Sequence, residues 1–181
     1  MFKEIPSLNR AIKESENRLS VKLGENVSIV VRHFLTESII SRLVEIDHEK
    51  FRSELWYNSK ELIDKTRKKD YVCLLLYVSS KPTAFLYGYG DENNPNWFFL
   101  DEIATKVEGK GIGKTLIRLL QAYCYELGYH QIVLYTEDQD EKGRMLRQFY
   151  QSLGFIYMYT DPEKGVVMNY SVISPASAQI H

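Results

Sequence analysis

Cysteine is scarce in this sequence: two residues in 181, Cys73 and Cys124. They are too few and too far apart for a disulfide framework. Each lies in an apolar run, the setting of a buried free thiol in a reducing compartment. An excess of charge is missing as well. Twenty-three basic side chains against twenty-four acidic ones leave a net charge of −1, so nothing points to broad electrostatic binding of nucleic acid or of an anionic membrane. No run is long and apolar enough to span a bilayer. The N-terminal stretch MFKEIPSLNRAIKESENR lacks the apolar core of a secretory signal. A cytoplasmic protein with no membrane or nucleic-acid partner is the expectation. No internal repeat, low-complexity stretch or linker divides the chain, and no His/Cys/Asp cluster has metal-ligand spacing, so a single body without a metal is expected.

What is present is ordinary for a globular chain: 44% hydrophobic and 26% charged residues. Aromatic residues are the exception, with 13 Tyr, 8 Phe and 2 Trp. Many of the tyrosines fall in expected strands, where they suit a half-buried face. Residues 6–20 have helical spacing, with Leu8, Ala11, Ile12 and Leu19 on one side and Pro6-Ser7 as start signals, so residues 1–26 read as a helical arm. Val27 to Phe34 is a β-branched strand. Thr36 caps a helix over about 37–49 with Ile39, Ile40, Leu43, Val44 and Ile46 as its stripe. Residues 51–58 form a connector, and Ser59 caps a second helix to about Lys69. The nearly continuous apolar run Tyr71 to Ser79 suits a strand covered on both faces. Lys81-Pro82 is the expected turn into a strand over Thr83 to Tyr89. Residues 91–96 are a loop, and Trp97 to about Thr105 is the next strand. Later come a strand over Gln131 to Thr136, a helix over 144–153 stopped by Gly154, and strands over Phe155 to Tyr159 and Val166 to Val172. Residues 174–181 are a tail.

The stretch Leu100 to Leu120, LDEIATKVEGKGIGKTLIRLL, organises the rest. It reads as a strand, a loop with Gly109, Gly111 and Gly113, and an amphipathic helix that stops at Gly128. This order leaves unblocked N–H groups at the positive end of a helix, which is a phosphate cradle. Lys110 and Lys114 add positive charge, and Thr115 a hydroxyl in the first turn. The dinucleotide pattern G-x-G-x-x-G fails, because its last position falls on Lys114 or Leu116. The P-loop pattern places a glycine at 108, where Glu108 stands, and only about 65 residues follow, short for the rest of such a domain.

Residues 108–113, EGKGIG, resemble the pyrophosphate loop [RQ]-x-x-G-x-[GA] of the GNAT N-acetyltransferases at Gly111 and Gly113. Residues 149–155, FYQSLGF, are similar to that family's "FYEKLGF". The order of elements over about 27–172 also resembles the GNAT fold. The resemblance implies an α/β (α+β) domain over 27–173, with a mixed, mostly antiparallel sheet of six to seven strands flanked by about four helices beside the arm. It implies acetyl-CoA as co-substrate, its pantetheine arm paired with the backbone of Ile103, Ala104 and Thr105. Its pyrophosphate would lie on the N–H groups of Gly109, Lys110, Gly111, Ile112, Gly113 and Lys114, beside Thr115. Tyr150 would protonate the leaving thiolate. The sequence departs from the family pattern at Glu108, in place of Arg or Gln, and at Thr105, Gly143 and Leu146, where many members have Pro, Asn and Ala.

The implied reaction is direct transfer of the acetyl group to the primary amine of a small molecule or peptide. Glu102 is the first candidate for the base and Asp101 the second; strand parity lets at most one of them face the acceptor unless a bulge intervenes. His33 and His48 are alternatives. Trp56, Tyr57 and Trp97 are candidate walls of the acceptor pocket, and Glu54 or Asp91 a candidate anchor for a cationic amine. The chain is expected to be a monomer or homodimer. Two rivals stand beside the enzyme: a non-catalytic acyl-CoA-binding or sensor module of the same fold, and a P-loop-like nucleotide binder.

Overall fold

A computed structural model of the chain describes residues 5–50, 57–140 and 142–172. Its elements run α1 (Pro6–Leu23), β1 (Val27–Arg32), α2 (Glu37–Lys50), α3 (Ser59–Lys65), β2 (Val72–Val78), β3 (Lys81–Gly90), β4 (Trp97–Thr105), α4 (Ile112–Glu126), β5 (Gln131–Thr136), α5 (Leu146–Gln151), β6 (Ile156–Asp161) and β7 (Gly165–Ser171). The strands form one seven-stranded sheet in the order β1-β2-β3-β4-β5-β7-β6. Every pairing is antiparallel except β4 with β5. This is the mixed, mostly antiparallel sheet expected above. Among the described residues no helix is long and apolar enough to cross a membrane, and both cysteines are free and buried.

Strand alternation sorts the core into two layers. Val72, Leu74, Leu76, Leu86, Phe98 and Leu100 face the side where α1, α4 and α5 bury Ile12, Leu116 and Tyr150. Cys73, Leu75, Phe85, Tyr87 and Tyr89 face the side covered by α2 and α3. β2 is buried at six of its seven positions because both faces are covered. Helix α1 docks through hydrogen bonds as well as apolar contacts. Glu16 accepts the Ile29 N–H at 2.8 Å, and Ser20 Oγ accepts the Val27 N–H at 2.9 Å.

Several local expectations need correction. The hairpin turn between β2 and β3 is Ser79-Ser80, with φ of 47° and 65°, and not Lys81-Pro82. A two-residue turn with both φ positive matches the twist of the flanking strands. Pro82 lies inside β3, opposite Tyr77, where the register shifts and a missing N–H is tolerated. Asn58, not Ser59, caps α3: its side chain accepts the Glu61 N–H while Glu61 accepts the Asn58 N–H. Helix α3 stops at Lys65 rather than Lys69, and α5 spans Leu146–Gln151 rather than 144–153.

The feature that shapes the site is a bulge in β4. Tyr87 pairs with Glu102, but the next residue, Gly88, pairs with Leu100, so Asp101 is an extra residue. Gly88 is what permits it: a Cβ there would lie 2.3 Å from the Phe99 carbonyl oxygen.

Candidate active site

β4 and β5 pair only over Trp97–Phe99 and Gln131–Val133. Beyond that, β4 continues to Thr105 along β3, while β5 continues to Thr136 along β7. The two strands diverge into a wedge, and the β4 backbone past the bulge has no strand partner on its β5 side. An extended chain can add there as a strand does.

The glycine loop lies at the open end of β4. Gly109 and Gly111 have φ of 72° and 84°, a region glycine enters without a Cβ penalty. Gly111 caps α4 with no side-chain acceptor. The first backbone bond of the helix runs from the Thr115 N–H to the Gly111 carbonyl at 3.0 Å, so the N–H groups before it lack intrahelical partners. Ile112 and Thr115 turn their side chains into the core, while Lys110 and Lys114 are exposed. Ile103 is half-buried and Ala104 buried on the opposite face, and the Thr105 hydroxyl is engaged by the Val107 backbone. A Cβ on Gly113 would meet Phe149 at 3.5 Å and Ile103 at 3.8 Å. Loop, β4 and α5 therefore converge on one point. Lys22, from the end of α1, brings its Nζ within 3.4 Å of where a Gly111 Cβ would stand. Nothing in the spacing of the arm marks this cation.

Glu108 is directed to three cations: Arg144 at 2.7 Å, Lys142 at 3.2 Å and Lys50 at 3.7 Å. Partial burial opposes ionisation, but these charges prevail and hold its carboxyl below the usual range. Its negative charge is thus compensated outside the cradle.

Tyr150 is buried beside Phe149 and Phe155, with ring centroids at 5.1 and 5.7 Å. Burial pushes its phenol up to about 12, so it is protonated at neutral pH. Its hydroxyl meets no hydrogen-bonding side chain among the described residues.

The bulge overturns the parity expectation for the two carboxylates: Asp101 and Glu102 lie on the same face, under α2 and α3. Asp101 pairs with Lys65 Nζ and accepts the Tyr57 hydroxyl at 3.4 Å. Glu102 accepts the Tyr87 hydroxyl at 2.5 Å and faces the carboxyl of Asp47. Asp47 is 4% exposed, and its Oδ1 has no hydrogen-bond donor. A proton shared between Asp47 and Glu102 satisfies both groups. Burial first, and then the neighbouring Asp47 and Asp101, raise Glu102 well above the usual carboxylate range, against the opposing hydrogen bond from Tyr87. Asp47 is raised too, chiefly by burial. Asp47 and Lys65 were not legible as site residues: each reads as an ordinary charged position on a short amphipathic helix.

Other candidates are placed elsewhere. Asp91 accepts the N–H groups of Asn93 and Asn94 at 2.8 Å each, both through Oδ1, which closes its own loop. Trp97 stands at the closed end of the wedge, paired with Gln131. His33 Nδ1 lies 3.0 Å from the Tyr71 carbonyl, and His48 lies beside Asp47. Glu54 and Trp56 lie outside the described residues. Among the described residues no group of three or more His, Cys, Asp or Glu is arranged to hold a metal ion.

Residues 37–155, more than half of the chain, match the model of the family described as "Acetyltransferase (GNAT) family". The chain is similar in fold to the PaiA N-acetyltransferase of Thermoplasma acidophilum in complex with coenzyme A (TM-score 0.59, 20% identity, covering 80% of this chain and 99% of that one). It is similar to the ribosomal-protein-S18-alanine N-acetyltransferase of Escherichia coli (0.61, 15%, 81% and 95%). It is also similar to an aminoglycoside 6′-N-acetyltransferase complexed with coenzyme A (0.66, 13%, 80% and 98%). At these identities the likeness is one of fold. No curated protein matches the chain in sequence.

Proposed function

The chain belongs to the GNAT acetyltransferase family, and on that premise we propose that it transfers an acetyl group from acetyl-CoA directly to a primary amine. The observation that carries the reading is the wedge between β4 and β5, which ends at a glycine-capped helix with open N–H groups. The pantetheine arm of acetyl-CoA adds along Ile103, Ala104 and Thr105. The pyrophosphate lies on the N–H groups of Gly109 to Lys114, with Lys22, Lys110 and Lys114 as countercharge. The amine approaches from the face under α2 and α3, where Asp101 and Tyr57 attract a cation. Glu102, with Asp47, takes the ammonium proton. The neutral amine attacks the thioester carbonyl, and Tyr150 protonates the departing thiolate. The raised carboxyl of Glu102 supports the base role, because a proton acceptor works best when its pKa approaches the operating pH.

The acceptor is a small-molecule or peptide amine. Neighbours named for an aminoglycoside and for the alanine of a ribosomal protein support keeping both classes open.

Calorimetric titration with acetyl-CoA, and separately with ATP and magnesium, tests the site. Acetyl-CoA is expected to bind and the nucleotide is not. Gly111→Asp puts a carboxylate into the cradle, within reach of Lys22, and should abolish binding while the fold persists. Retained acetyl-CoA affinity in that folded variant would overturn the assignment. Acetyl-CoA binding without turnover of any amine would favour the non-catalytic module.

A further inference from the structure

Lys65 closes α3 and turns its side chain onto the sheet. Its Nζ pairs with Asp101 and lies 4.1 Å from the Tyr57 ring centroid, 5.9 Å from Tyr89 and 6.0 Å from Tyr87. The Lys65 side chain is 15% exposed and that of Asp101 6%. A pair this buried is a weak source of stability, since desolvation of two charges offsets their attraction. Its position is informative. Asp101 is the bulged residue of β4, two residues past the last pairing of β4 with β5. The carboxyl of Glu102 lies beside it, and that of Asp47 beside Glu102. A primary amine is thus held at the β4 bulge, paired with a carboxylate, on the face from which the proposed acceptor amine approaches.

We propose that Lys65 is itself an acyl acceptor, so that the chain acetylates its own Lys65 from acetyl-CoA. The inference rests on the acetyltransferase reading. The Lys65 ammonium gives one proton to Asp101, the carboxylate it pairs with. The Nζ lone pair then attacks the thioester carbonyl carbon, a C–N bond forms and the C–S bond breaks. The thiolate takes a proton from Tyr150, which recovers one from the nitrogen. The products are an amide on Lys65 and free CoA thiol, with one proton released through Asp101. The amide carries no charge, so it cannot pair with Asp101 or sit over the tyrosine rings as a cation does. Acetylation therefore frees Asp101 for an external amine.

Uncatalysed acylation follows exposure, and the exposed lysines set the comparison. The Lys13 and Lys142 side chains are 80% and 62% exposed. The test is to incubate the wild-type chain with acetyl-CoA and to follow every lysine by peptide mass mapping over time, at several protein concentrations. Lys65 is expected to gain acetyl more than about tenfold faster than Lys13 or Lys142, because proximity replaces collision, at a rate independent of protein concentration. Lys65 left unmodified while calorimetry shows acetyl-CoA bound would overturn this inference and leave the proposed function standing. No acetyl-CoA binding would overturn both. A Lys65 rate proportional to protein concentration would assign the transfer to a second copy and overturn the intramolecular step.

Discussion

On the face covered by α1, α4 and α5, aliphatic side chains predominate around rings such as Phe98, Tyr123, Tyr150 and Phe155, and Leu116, Ile117 and Leu120 are wholly buried. On the face under α2 and α3 the sheet presents Tyr71, Tyr87 and Tyr89, and among them stand Asp47, Asp101, Glu102 and Lys65. One sheet therefore carries two kinds of interior. Hydrocarbon burial on the first contributes stability with little regard to pH. The second holds ionisable groups where water would solvate them better, and each is retained only through a partner. The glycine loop belongs to the first interior, because α4 that follows it is anchored there. The proposed base, Glu102 with Asp47, belongs to the second, whereas the proposed acid, Tyr150, belongs to the first. The helix that carries the cofactor cradle and the proposed base are thus anchored on opposite sides of β4.

Substitutions on each face should separate the two roles. Leu116→Ala opens a cavity at a site with no exposure and should cost about 2–5 kcal/mol of stability in urea unfolding. Amine turnover by the folded fraction should be kept; a specific loss of turnover at unchanged stability would erase the distinction. Glu102→Gln should lower kcat/KM for the amine about a hundredfold, equivalent to about 2.7 kcal/mol of barrier. Acetyl-CoA affinity by calorimetry should hold, and equal effects on both would place Glu102 in the cofactor site instead.

The third contrast is in pH. A carboxyl raised by folding binds its proton more tightly in the native chain than in the unfolded one. Its contribution is complete below the ordinary carboxyl value of 4.5 and is lost as pH rises through the raised value of Glu102. In that window stability should fall with pH, by no more than about 1.4 kcal/mol per unit for one proton. The Glu102→Gln slope should be flatter when melting temperature is followed against pH. Activity should rise over the same window, as the base deprotonates. A wild-type slope no steeper than that of Glu102→Gln would remove the burial argument. The smallest effect lies at the rim of the second face. Asn58→Ala loses the cap of α3 and should cost about 1 kcal/mol, read by chemical denaturation.

Which parts of this were legible beforehand follows from the range of the interactions involved. The order of elements, the β4–loop–α4 unit and the C′ glycine at Gly128 depend on local periodicity and backbone preference, and these are written within a few residues. The hairpin turn was misplaced because Pro82 is a strong local punctuator, whereas Ser79 and Ser80 accept positive φ only under the pull of two paired strands. The carboxylates Asp101 and Glu102 were split by parity because the bulge arises from a contact between Gly88 and the Phe99 carbonyl, eleven positions apart in sequence. The use of Gly88 is this close approach, which no spacing along the chain marks. The loop-closing role of Asp91 was not legible because two of its partners, the Asn93 and Asn94 N–H groups, are backbone. Lys22, Asp47 and Lys65 reach the site from three different helices, and no spacing along the chain records that meeting.

The short pairing of β4 with β5 has a mechanical side. Strands β1 to β4 form one antiparallel leaf and β5, β7 and β6 another, and three residue pairs stitch the leaves together. The sheet therefore has a seam, where neighbouring strands are joined by fewer residue pairs than anywhere else in it. A pantetheine arm hydrogen-bonded along β4 would act as a splint across that seam. Loading would then stiffen both leaves at once, and β6, at the edge of the sheet beyond β5 and β7, would register it as slower hydrogen exchange.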